Sequence, residues 1–293
     1  MRVAITRPVP VLAHEILRAS IPNVVLEGPE IRPGIDALLC TLQDPVDRAL
    51  LESLSPTLQI VANFAVGLDN IDLDAARELG VRVTNTPGVL TEATAETAIG
   101  LILCCARRFH EGDQIMRSGA FSGWEPLFHL GQSVYGSTLG IIGAGRIGRC
   151  VGETMERGFG CRVLYHRPMD LDELLAESDF VSLHCPLTEQ THHMIDERRL
   201  ALMKPTAILI NTARGPIVDE TALVRALKNG GIAGAGLDVY EAEPAMAPGL
   251  AELDNVHLLP HIGSATVATR NAMARMAADS IVETLTRGSA REG

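Results

Sequence analysis

Four short segments carry residues whose types and spacing could do chemistry. The first, Gly143-Ala144-Gly145-Arg146-Ile147-Gly148, is a GxGxxG run set between an apolar strand pattern and a helical one. In that setting Gly143 permits a tight turn, Gly145 lets the backbone approach a pyrophosphate, and Gly148 lets the helix pack on the sheet. The helix N-terminus then attracts the negative charge. The other three are Asn211-Thr212-Ala213-Arg214-Gly215, Gly236–Tyr240 running into Glu241-Ala242-Glu243-Pro244, and Pro260-His261-Ile262-Gly263-Ser264. They bring a guanidinium, carboxylates and an imidazole, the groups from which anion binding and proton transfer are built. Each follows a strand-like run, and open α/β sheets take ligands at the carboxyl ends of their strands. Taken singly, Arg214 reads equally as a surface cation, Glu243 as a solvated turn acid and His261 as a packed histidine.

The elements that must position these segments read as alternating strands and helices, hence α/β with parallel sheets. Strand patterns fall at Arg2–Thr6, Ala37–Cys40, Leu58–Asn63 and Val81–Asn85, with helices at Val9–Ala19, Val46–Leu54 and from Asp72 to Leu79. Thr91–Arg108 reads as one long helix able to lead from one domain to the next, and Gly119–Gly136, with the only Trp (Trp124), as a surface loop. A second α/β unit begins at Ser137 with strand Thr138–Ile142, helix Arg149–Arg157 and strand Cys161–His166. An acid that would grip the ribose hydroxyls is missing after that strand, where the chain reads Tyr165-His166-Arg167-Pro168. Arg167, aided by His166, suits a 2′-phosphate, which points to NADP and leaves NAD open; a solvated turn residue is the bland alternative.

The 293 residues are 46% hydrophobic and 21% charged, enough for two buried cores. The net charge is −11 with no basic stripe, which argues against nucleic-acid binding. Six cysteines form no CxxC pair and no zinc spacing, so neither a disulfide scaffold nor a metal site is expected. The longest apolar run, Ile99 to Ala106, is too short to span a bilayer, and the start lacks a signal-peptide pattern. A soluble, cytoplasmic protein that does not bind membranes is expected.

In combination these motifs make the chain resemble the NAD(P)-dependent D-2-hydroxyacid dehydrogenases, from about Leu58 to Thr266. The resemblance is carried by Val66-Gly67-Leu68-Asp69-Asn70-Ile71-Asp72, Gly143–Gly148, Asn211–Gly215, Glu243-Pro244 and His261–Ser264. Within the family, Asn63–Asp72, Thr84–Thr94 and Trp124 are most similar to the glyoxylate/hydroxypyruvate reductases. The resemblance implies two Rossmann-like domains. A flavodoxin-like substrate-binding domain would comprise residues 1–92 and 267–293, and a doubly wound NAD(P)-binding domain residues 93–266.

It also implies roles. Arg214 would bind the substrate carboxylate and polarise the keto oxygen, and His261 would donate a proton to that oxygen. Glu243 would hold the imidazole and raise its pKa, and the backbone N–H groups of Val66 and Gly67 would complete the carboxylate site. Gly143, Gly145, Arg146 and Ile147 would meet the pyrophosphate, Arg167 and Pro168 the adenosine ribose, and Thr212 and Ala213 the nicotinamide ribose. Asp238 would take the carboxamide, with His261 and Gly263 beside the ring and Thr94 a weaker candidate opposite. The helix Thr91–Arg108 and its adjoining loop would form a two-fold homodimer interface, and hinges near Thr91 and Ser264 would let the domains close over substrate.

Two departures from the family stand out. Only Pro168–Leu171 separates the second cofactor-domain strand from the acidic helix read as Asp172–Glu177, so a helix and strand look deleted and the sheet is expected to lack an edge strand. The stretch from Val25 to Ala37 also looks short. Competing readings are a D-3-phosphoglycerate or D-lactate type dehydrogenase, and a non-catalytic, nucleotide-sensing corepressor-like protein. A phosphoglycerate site would need cations that Asn63–Asp72 does not offer.

Overall fold

The computed structural model describes residues 1–167 and 169–289, so Pro168, expected beside the adenosine ribose, lies outside the described residues. The chain divides into two compact units, Met1–Leu90 with Ser264–Gly293, and Thr91–Gly263.

The first unit is a parallel sheet of β1 (Arg2–Ile5), β2 (Val25–Glu27), β3 (Ala37–Cys40), β4 (Ile60–Asn63) and β5 (Arg82–Thr84), in the order β2-β1-β3-β4-β5. That is the flavodoxin-like order. The central strands β3 and β4 are buried at every position, as a parallel sheet covered on both faces requires. Helices α1 (Val11–Ser20), α2 (Arg48–Leu54) and α3 (Leu73–Glu78) belong to this unit. Asp47 and Asp72 cap α2 and α3 by accepting from Leu50 N–H and Ala75 N–H. Strand β2, announced only by the three-residue run Val24-Val25-Leu26, is a half-exposed edge of three residues.

The second unit opens with α4 (Thr91–Arg107) and α5 (Phe109–Ser118); residues 120–137 form neither helix nor strand. Its sheet is β6 (Thr138–Ile142), β7 (Arg162–Tyr165), β8 (Phe180–Leu183), β9 (Ile208–Asn211), β10 (Gly234–Leu237) and β11 (Val256–Leu258), all parallel, in the order β11-β10-β9-β8-β6-β7. A doubly wound sheet carries a further strand outside the second one; here β7 is the edge among the described residues. The sheet therefore lacks an edge strand, as expected. Helix α6 (Arg146–Phe159) starts three residues earlier than its apolar pattern suggested and runs through Gly158, stopping at Gly160, which takes a left-handed backbone at φ 60°. Helices α7 (Leu171–Glu177), α8 (Glu197–Leu200) and α9 (Glu220–Lys228) complete this unit, and α10 (Val267–Ser289) belongs to the first.

The turn from β7 to α7 is short and tied. Arg167 N–H donates to Met169 O at 3.1 Å, and Asp170 accepts from Asp172 N–H and Glu173 N–H at the start of α7. The buried residues Leu171, Leu174 and Leu175 then anchor α7 in the core with Ile142, Val181 and Leu183. No helix among the described residues is long and apolar enough to cross a membrane, and all six cysteines are free. Asp170→Ala should cost about 1 kcal/mol, read as a lower urea midpoint at unchanged slope. No loss would mean that packing alone holds α7.

Candidate active site

The second unit gathers its candidate residues at the carboxyl ends of β6, β9, β10 and β11. Gly143, at φ +105°, ends β6 where a Cβ would stand 2.5 Å from Cys185 N and from the carbonyl carbon of His184. Gly148 sits so close to the turn that a Cβ would meet Gly143 O at 2.1 Å. Gly145 is the N-cap of α6 with no side chain bonded across it, and open space lies over its Cα. Arg146 and Ile147 form the first turn of α6, with Arg146 exposed. At the end of β7, Arg167 is exposed at φ +61°.

After β9, the buried Asn211 side chain pins both ends of the next turn. Its Oδ1 accepts from Ala213 N–H at 3.0 Å, and its Nδ2 donates to Arg214 O at 2.9 Å. The Arg214 guanidinium turns back to donate to Ala213 O at 2.8 Å. Within the same turn Thr212 Oγ1 is buried with no hydrogen-bond partner. An orphaned hydroxyl of this kind carries a desolvation penalty that a ligand group would relieve. Together with the uncapped N-terminus beneath Gly145, it fits the site to a dinucleotide.

After β10 and β11 the geometry is tighter. Asp238, only 1% exposed, accepts from Ile262 N–H and Gly263 N–H, each at 2.7 Å. Those two bonds hold the backbone just beyond His261, whose φ of +55° is a conformation an ordinary side chain seldom adopts. So held, the imidazole Nδ1 lies 2.9 Å and 3.2 Å from the two oxygens of Glu243. Glu243 also accepts from Tyr240 N–H at 3.1 Å. Burial alone would push its carboxyl up; the His261 bond and charge, the Tyr240 N–H and the Arg214 guanidinium outweigh it and bring the group below its ordinary value. Thr94, on α4, packs within 3.4 Å of where a Gly263 Cβ would stand, which brings it to this cluster.

Val66 and Gly67 lie in the first unit, in the loop after β4. Val66 O accepts from Asn85 Nδ2 at 2.7 Å and Gly67 O from Asn63 Nδ2 at 2.8 Å. A trans peptide sends its N–H opposite its C=O, so Gly67 N–H points away from Asn85.

Three residues hold the site loops in a way that sequence reasoning did not foresee. Asn211 organises the Arg214 turn, Asp238 holds the His261 loop, and the buried Glu220 accepts from Glu241 N–H at 2.6 Å and Ala247 N–H at 2.9 Å. Asn211 and Asp238 both stood in segments read as functional, Asp238 for a different task, and Glu220 stood in none.

Residues 99–263 match the D-isomer specific 2-hydroxyacid dehydrogenase, NAD binding domain. The chain is 50% identical over 287 residues to the glyoxylate reductase of Thermococcus onnurineus (strain NA1), covering 92% of this chain and 83% of that protein. Among solved structures it is similar to a glyoxylate reductase from Paecilomyes thermophila, at 34% identity and TM-score 0.86 over 97% of this chain and 95% of that one. It is also similar to an NADPH-dependent glyoxylate/hydroxypyruvate reductase from Sinorhizobium meliloti in complex with NADP and malonate, at 35% identity and TM-score 0.85, covering 95% and 91%. The chain belongs to the D-isomer specific 2-hydroxyacid dehydrogenase family, and it is an oxidoreductase with a nicotinamide-binding domain.

Two outcomes test this geometry. A Cβ at Gly215 would stand 1.8 Å from the carbonyl carbon of Tyr240 and 2.4 Å from Glu241 N. Gly215→Ala should therefore displace the turn that carries Glu243 and destabilise the fold by about 3 kcal/mol, checked by denaturant unfolding. The second concerns His184, whose imidazole burial pulls from 6.5 down to about 4. Between those two values the unfolded chain binds a proton that the folded chain does not, so stability falls as pH drops from 6.5 to about 4. His184→Asn should remove that part of the slope in unfolding midpoints measured across this window.

Proposed function

We propose that the protein reduces a small 2-keto acid, glyoxylate or hydroxypyruvate, to the D-2-hydroxy acid with NADPH as the preferred cofactor. The observation that carries this reading is the His261–Glu243 pair, with Nδ1 held 2.9 Å from a carboxylate whose affinity for protons is lowered in part by the Arg214 guanidinium. The glyoxylate reductases among its relatives support the substrate class.

The nicotinamide supplies the hydride when bound. Gly143, Gly145, Arg146 and Ile147 would hold the pyrophosphate on the N-terminus of α6, while Thr212 and Ala213 would meet the nicotinamide ribose. Asp238, His261 and Gly263 would flank the carboxamide and ring. Arg214 would grip the substrate carboxylate in a fork that also polarises the keto oxygen, with the N–H groups of Val66 and Gly67 as further donors. His261, its Nδ1 side occupied by Glu243, would deliver a proton from Nε2 to that oxygen as it becomes a hydroxyl. Glu243 fixes the ring and balances its positive charge. Exposed Arg167 at the β7 edge would pair with the 2′-phosphate, since no acid at that position repels it.

The substrate-binding role belongs in this reading to residues 1–92 and 267–293, and the cofactor role to 93–266. A cytoplasmic setting without nucleic-acid or membrane partners is supported by six free cysteines and the net charge of −11. A homodimer is supported by the segment between α5 and β6, which exposes Trp124 (81%), Leu127 (82%) and Leu130 (60%). A second copy of the chain would cover them.

Loss of nicotinamide absorbance with glyoxylate and hydroxypyruvate should be faster with NADPH than with NADH, and Arg167→Asp should reverse that order. His261→Ala should lower kcat by about 10²–10⁴-fold. Arg214→Lys should lower kcat/KM by at least about tenfold. Turnover untouched by either change would contradict the assignment. Sedimentation should give twice the single-chain mass, reduced to one chain in Leu127→Asp/Leu130→Asp.

A further inference from the structure

On the second unit, outside the residues assigned above, two imidazoles and a carboxylate meet. His192 and His193 lie in the turn before α8, and Glu241 in the turn after β10. One donor atom from each lies within 4.8 Å of the other two. We infer that His192, His193 and Glu241 form a binding site for a divalent transition-metal ion of the zinc class.

Consecutive side chains of an extended segment point to opposite sides, so two adjacent histidines do not ordinarily share a ligand. Here the backbone of His193 is left-handed, at φ +47°, and the two rings stack with centroids 4.1 Å apart. That conformation is held in place, because His193 N–H donates to Pro216 O at 2.8 Å and His192 N–H to Thr188 O at 2.9 Å. The facing carboxylate is held as firmly. Glu241 N–H donates to the buried Glu220 side chain at 2.6 Å, and Glu241 Oε2 accepts from Glu220 N–H at 3.3 Å. Glu241 Oε1 is left to face His193 Nε2 at 2.6 Å.

Donors about 2.0–2.1 Å from a tetrahedral ion stand about 3.3 Å from one another. An ion replacing the shared proton would therefore open the 2.6 Å His193–Glu241 contact by about 0.7 Å, and a ring rotation of the exposed His192 would bring in the third donor. Imidazole nitrogen selects zinc, nickel or copper over magnesium and calcium, which take oxygen. Three protein donors leave a fourth position for water. Glu241 is two residues from Glu243, so a bound ion would tie down the turn that carries the His261 partner; the site itself does not depend on the reductase reading.

The test is isothermal titration of the chelator-stripped full chain with Zn²⁺ and, separately, Mg²⁺, with the unfolding temperature as a second readout. One equivalent of Zn²⁺ should bind and raise the unfolding temperature, and Mg²⁺ should not. His192→Gln and Glu241→Gln should each weaken Zn²⁺ binding by at least about tenfold. His192 is exposed, so its variant should fold as wild type and keeps the test valid if His193→Gln does not. Cys104→Ser/Cys105→Ser should bind as wild type. The inference is overturned if Zn²⁺ does not bind, if it binds the two histidine and glutamate variants unchanged, or if the cysteine variant alone loses it. The first of these results would leave His193 and Glu241 as a hydrogen-bonded pair and nothing more.

Discussion

A carboxylate with almost no exposure, turned onto two backbone N–H groups, sets the rest of the site. Taking Asp238 out of water is costly, and burial pushes its pKa upward. The cost is offset by charge-assisted bonds from Ile262 N–H and Gly263 N–H, which are shorter and stronger than neutral ones. Their effect is positional. They fix the two peptides after His261, which makes a left-handed backbone tolerable at a histidine and aims the ring at Glu243. A residue larger than glycine at 263 would put a Cβ 3.0 Å from Asp238 Oδ2, so any side chain there would press on the same contact.

The same device recurs at three further loops that carry candidate groups. Asn211 holds the Arg214 turn by both an acceptor and a donor. Glu220 holds the segment that bears Glu241 and Glu243 through two backbone N–H groups. In the first unit, Asn63 and Asn85 draw the carbonyls of Gly67 and Val66 inward, and Asn70 binds Thr41 O and Asp44 O at 3.0 Å. Buried polar side chains here serve the loops rather than the core, and each one is expensive to leave unpaired. Loops at the ends of parallel strands thus gain a definite shape without regular secondary structure.

What the sequence makes legible follows from this. The glycine turn stands in a strand–turn–helix pattern whose spacing carries meaning, whereas Arg214, Glu243 and His261 are legible only in combination, through the resemblance to the family. The lost edge strand is legible only because Pro168–Leu171 is short beside that family's longer passage. Strand β2 and helix α5 are illegible because neither offers a buried run: β2 is half exposed and α5 buries no residue at all. Glu220 escapes for another reason. It reads as one more acid in the first turn of a helix, and its partners lie 21 and 27 residues away. The approach of His193 to Glu241 spans 48 residues and depends on a backbone conformation that no residue type announces.

If Asp238 acts chiefly by holding His261, then the two residues are one unit and their losses cannot add. The direct measurement is kcat for glyoxylate reduction at saturating NADPH in wild type, Asp238→Ala, His261→Ala and the double variant. The double variant should be no slower than His261→Ala alone. Losses that multiply across the pair would mean that Asp238 contributes independently of the histidine, and the cradle would not be what positions the imidazole.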